Sequence, residues 1–147
     1  MRSKRAKSIH VKNRRTNKME LEEVRELFRK DRFATENGMV IDEIGEDYAK
    51  CSVILSERHM NAMGGVMGGV HFTLADFAFA VASNVRHMGT VALSTDISFI
   101  GAVKGKKLTA EATLVKDGRT VCCYRIQVKD DLGNIAAEVK TVGYHKE

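Results

Sequence analysis

The chain has 147 residues, 44% hydrophobic and 29% charged, which suits one globular domain able to bury its own core. No apolar run reaches the ~20 residues a membrane span requires, and no apolar segment of secretory type follows the basic N-terminus. Three cysteines without CxxC spacing (Cys51, Cys122 and Cys123) give neither a disulfide framework nor a zinc site, so the expectation is a cytoplasmic protein with no metal or redox cofactor.

The net charge of +5 is unevenly placed. Residues 1–18 carry eight basic side chains and no acidic one; taking those eight away leaves residues 19–147 at about −3. Residues 1–18 are expected to be a basic leader, disordered or non-native, with Met19 as the natural start. Residues 19–147 are expected to form one domain. A basic arm can bind phosphates, yet a single helix beyond it is too little for a helix-turn-helix reader, so a nucleic-acid role is not favoured.

Asn17 with Glu20 has the spacing of an N-cap and its N3 acid. Leu21, Val24, Leu27 and Phe28 then recur at helical spacing and predict an amphipathic helix over about 19–31. Asn37-Gly38 marks a turn. Strands are predicted over 39–44 and 48–55, then a helix running to about residue 84, then strands over 90–100, 106–116, 120–129 and 135–144. The stretch 106–116 alternates, with Leu108, Ala110, Ala112 and Leu114 on one face. Asp117-Gly118 and Leu132-Gly133-Asn134 read as hairpin connections. The central helix is apolar nearly all round and must be covered on most sides. A curved antiparallel sheet wrapped around it meets that need, which makes the fold class α+β.

One carboxylate interrupts this apolar helix. Asp76 lies among Leu74, Ala75, Phe77 and Phe79, where an ionised group needs either a partner or a function. Ahead of it, Met63-Gly64-Gly65-Val66-Met67-Gly68-Gly69 places glycines at a helix start, whose N–H groups lack intrahelical partners and can receive developing negative charge.

The run His59-Met60-Asn61, then Met67-Gly68-Gly69-Val70-His71-Phe72-Thr73-Leu74-Ala75-Asp76-Phe77-Ala78-Phe79-Ala80, resembles the signature of the PaaI-type hotdog thioesterases. The resemblance continues through Ser94 and the 105–112 segment to the last strand, covering roughly residues 38–145. It implies the hotdog fold, acyl-CoA thioester hydrolysis without a cofactor, and Asp76 as general base or nucleophile. It further implies that Asn61 positions water or thioester, that the Gly68 N–H polarises the carbonyl with Gly69 beside it, and that Ser94 holds the reacting water. Lys104, Lys106, Lys107 and Arg119 are candidates for the CoA phosphates, Arg119 foremost. Family sites lie between subunits of a homodimer or homotetramer, so Asp76 of one chain would face Gly68 and Asn61 of another.

One departure stands out: Met67 occupies the motif's usual His position on the substrate side, and Met donates no hydrogen bond. His71, one turn on, is expected to be a packed core histidine, and His59 a structural one. The rival readings are a non-catalytic acyl-CoA-binding protein and a hotdog hydratase. The hydratase lacks its Asp/His spacing here, and its proline-containing loop cannot occur in a chain without proline. The acyl group, aromatic or of short to medium length, is not legible.

Overall fold

The computed structural model describes residues 19–147, so Asn17, the leader and its expected boundary at Met19 lie outside or at the limit of what is described. The order is α1 (Leu21–Phe28), α2 (Arg32–Glu36), β1 (Val40–Gly45), β2 (Tyr48–Ile54), a 3-10 turn (Glu57–His59), α3 (Gly68–Arg86), β3 (Thr90–Phe99), β4 (Lys107–Asp117), β5 (Val121–Asp130) and β6 (Ile135–His145). All six strands pair antiparallel in one sheet, in the order β1-β2-β4-β5-β6-β3. The α+β hotdog expectation holds, with α3 packed along the sheet.

The alternation in β4 is borne out: Leu108, Ala110 and Ala112 are fully buried against α3. Cys51 and Val53 from β2, and Tyr124, Ile126 and Val128 from β5, continue the same inner face. From α3, Leu74, Ala78, Phe79, Val81 and Ala82 meet it, and the Phe79 and Tyr124 rings pack edge to face at 5.5 Å. The opposite side of α3 is closed by α1 and α2, where Phe28 meets the Phe77 ring at 6.2 Å and Ala34 is buried.

Two local details differ from expectation. α1 is shorter than predicted, and its N-cap is Glu20, without a side-chain cap bond. α2 carries too few buried residues, Ala34 alone, to show a helical period. The β4–β5 hairpin expected at Asp117-Gly118 forms, with a connection three residues long in which the Gly118 N–H donates to Val121 O at 2.8 Å and a Cβ on Gly118 would meet that oxygen. Gly133, at φ +87°, does supply the left-handed residue of the β5–β6 turn.

Candidate active site

The loop before α3 is ordered by buried polar groups. His59 is buried; its Nδ1 accepts from Ser56 N–H at 2.9 Å and its Nε2–H donates to Asn37 O at 2.7 Å, which makes it the structural residue expected. His59 O in turn accepts from Met67 N–H at 2.9 Å. Asn61 Oδ1 accepts from the N–H groups of Met63 (2.9 Å) and Gly65 (3.0 Å), and Asn61 N–H donates to Gly65 O. Its carbonyl oxygen is therefore spent on the loop, and its Nδ2 group remains for any ligand.

Met67 is the N-cap of α3, exposed and without a side-chain cap bond. Val70 N–H bonds back to Met67 O at 2.9 Å, leaving the Gly68 and Gly69 N–H groups at the bare start of the helix. Phe99, at the end of β3, lies over Gly68 so closely that a Cβ there would stand 3.2 Å from its ring. Gly69 has no such constraint, the nearest side-chain atom being 3.7 Å away.

Asp76 sits two turns further along α3 on the side turned to α2. It is half-buried in a cleft of about 230 Å³ lined by Asp31, Arg32, Phe33, Ala34, Thr73 and Phe77. No hydrogen bond contributes to its titration among the described residues; burial raises its pKa above the ordinary 3.8, and the negative charge of Asp31 raises it further. Asp31 is itself raised by burial. The sequence reading missed Asp31 along with α2. Its only signal was an Asp placed one residue before a short apolar-polar run, which is where N-cap residues stand.

Within one chain these groups do not converge. Eight residues of helix separate Gly68 from Asp76, about 12 Å of axial rise, and a single thioester carbonyl cannot touch both. Ser94 is exposed on β3, beside an irregularity at Leu93 where the pairing with β6 shifts register. Lys104, Lys106 and Lys107 lie at the end of β4 close to the Phe99 end of the sheet, where the Lys104 N–H binds Asp130. Arg119 lies beyond the other end of β4, about 33 Å away along the strand, so it and Lys104 do not meet on one chain.

The opposite end of α3 holds a second polar cluster. Asp117 Oδ2 accepts from Arg86 at 2.8 Å and Oδ1 from His145 Nε2 at 2.7 Å, while His145 Nδ1 contacts Thr90 Oγ1 at 2.7 Å. Asp117, Cys122 and His145 place potential metal-ligand atoms within 4.8 Å, yet the carboxylate and the imidazole already have protein partners, and burial pushes the Cys122 thiol up. A larger cleft, about 960 Å³, opens beside it, between Leu21, Asp42, Glu43, Arg86 and His87, away from Asp76 and Gly68. Among the described residues no helix is long and apolar enough to cross a membrane.

An antiparallel sheet wrapped around one long helix defines the hotdog fold. Residues 63–137 match the Thioesterase superfamily, and the chain belongs to that family, in its PaaI-type branch. Over 103 residues the chain is 36% identical to a putative esterase of Archaeoglobus fulgidus, covering 69% of this chain and 67% of that protein. It is 29% identical over 103 residues to the acyl-coenzyme A thioesterase PaaI of Escherichia coli K12, covering 69% and 74%. The solved structure of the E. coli PaaI protein from the phenylacetic acid degradation operon shares the fold, with a TM-score of 0.79 and 24% identity over 83% of this chain and 89% of that one.

Proposed function

We propose that the protein hydrolyses acyl-CoA thioesters of aromatic or short to medium acyl groups, with Asp76 as general base or nucleophile. The observation that carries this is a half-buried carboxylate with no hydrogen-bonding partner among the described residues, facing a cleft and holding its proton to higher pH than a free aspartate. In the base reading, water bonds through oxygen to the carbonyl carbon while Asp76 takes its proton. The carbonyl oxygen gains negative charge, which the Gly68 and Gly69 N–H groups stabilise. The C–S bond then breaks, and the proton passes to the leaving sulfur. Asn61, through Nδ2, and Ser94 position the thioester and the water. The PaaI relative is named for acyl-coenzyme A, and this chain is 29% identical to it over 103 residues.

The 12 Å gap within one chain favours a site built from two copies, Asp76 of one facing Gly68 and Asn61 of the other. Lys104 and Arg119 then serve the CoA phosphates from different chains. Thiol release from a panel of acyl-CoAs tests the reading. Asp76→Asn is expected to keep the fold and CoA binding and to lose at least 10²-fold in kcat. Undiminished hydrolysis by that variant overturns the assignment, and CoA binding without hydrolysis by the wild type leaves a ligand-binding protein instead. The exposed Met67, in place of a His, is what favours that second reading.

A further inference from the structure

Among the described residues only two buried side-chain polar atoms lack a hydrogen-bond partner, Asp42 Oδ2 and His71 Nδ1. His59 and His145 are buried to a similar depth and have both ring nitrogens engaged. His71 is 5% exposed, and a histidine kept only for packing would leave this nitrogen desolvated and unpaired, which costs free energy that Leu or Phe at the same place would not. The expected packed core histidine is therefore not a satisfied one.

Its position says what it is turned toward. His71 is the fourth residue of α3, and helical side chains lean toward the N-terminus, so the imidazole lies over the turn carrying Met67 and Gly68. Phe99 ties the same groups together: its ring meets His71 edge-on at 5.8 Å and packs against Gly68. Phe99 is 56% exposed at the end of an edge strand, so the side chain that lies against both groups meets solvent on its other side. Burial lowers the pKa of His71, which keeps the ring neutral near pH 7.

We infer that His71 is a third oxyanion donor, its Nδ1–H adding to the Gly68 and Gly69 N–H groups and restoring the side-chain hydrogen bond lost with Met67. This deepens the thioesterase reading and rests on it. An oxyanion has three lone pairs, and two backbone donors leave one unmet. No additional bond-making step is involved: the hydrogen bond strengthens as water attacks the carbonyl and relaxes as the C–S bond breaks.

The amide nitrogen of Asn stands as many bonds from Cα as Nδ1 of His, whereas that of Gln stands where Nε2 does. Full-chain His71→Asn, His71→Gln and His71→Leu are compared with wild type on whichever of benzoyl-, butyryl- and octanoyl-CoA is turned over fastest, with thermal melts in parallel. The Leu and Gln variants are expected to lose about 10²–10³-fold in kcat with KM within a few-fold, while Asn stays within about tenfold of wild type. Equal losses in Asn and Leu, or retained kcat in all three, overturn the inference. Asp76→Asn in the same series keeps the two claims apart: activity surviving in that variant removes the parent reading, whereas activity lost there but kept in His71→Leu removes only the role of His71.

Discussion

Burial disfavours the charged form of Asp76, and the Asp31 carboxylate across the cleft adds to the effect, so a base that must be ionised becomes available only above the usual carboxylate range. Activity should then rise with pH through the raised pKa of Asp76. Asp31→Asn removes one of the two causes and is expected to move that acid limb of kcat/KM to lower pH without moving the plateau by more than a few-fold. An unmoved limb would mean that Asp31 does not act on the titrating group. Stability runs the other way. The folded chain holds this proton more tightly than the unfolded one, so its contribution falls as pH rises above the ordinary 3.8 through the raised value. Asp76→Asn should accordingly melt higher than wild type at neutral pH, and the difference should vanish at acid pH. Asp130 has the opposite sign. Burial pushes its pKa up, but the Asn134 side chain and the N–H groups of Lys104, Gly105 and Asn134 outweigh it, so its stabilisation is lost only in strong acid.

At the scale of elements, what a sequence shows depends on how many residues repeat the signal. β4 announced itself because Leu108, Ala110 and Ala112 alternate with polar residues over several positions. α3 did so because its apolar positions span five turns. α2 has five residues and one buried side chain, so nothing in its pattern separates it from a loop, and with it went Asp31 and the wall of the Asp76 cleft. The Asp76 and Gly68 positions were legible through the motif. Whether His71 had a hydrogen-bond partner was not, because the surroundings of its ring are set by groups distant in sequence, such as Phe99. Close packing between elements is equally invisible from local pattern. Gly143 in β6 looks like a weakness in a strand, yet a Cβ there would stand 2.7 Å from Cys122 Sγ and 2.8 Å from the Phe79 ring, both fully buried. Gly143→Ala is expected to cost about 1–3 kcal/mol by denaturant unfolding, whereas Gly65→Ala, with its nearest contact at 3.5 Å, should stay within about 0.5 kcal/mol.

For the whole molecule, the two edges of the sheet are unequal. β1 is six residues long, is irregular at Asp42 and packs beside α1. β3 is ten residues long and, among the described residues, pairs on one side only, with β6. Its far side offers unpaired backbone groups together with Val91, Leu93 and Phe99, all exposed, and Leu93 is 64% exposed. A long apolar edge of this kind recruits another strand unless something covers it. A second copy pairing there would extend the sheet across two chains, and the proposed site requires such a copy to supply the α3 start that one chain cannot bring to its own Asp76. The expected species by light scattering is a dimer or a multiple of one. Leu93→Lys places a charge at the middle of that contact and should raise the dimer dissociation constant at least tenfold. Because the proposed site needs both copies, specific activity in Leu93→Lys should fall on dilution along the same curve as the dimer fraction. A monomeric variant that keeps full turnover would show that one chain suffices, and the helix start and the carboxylate would then have to belong to separate functions.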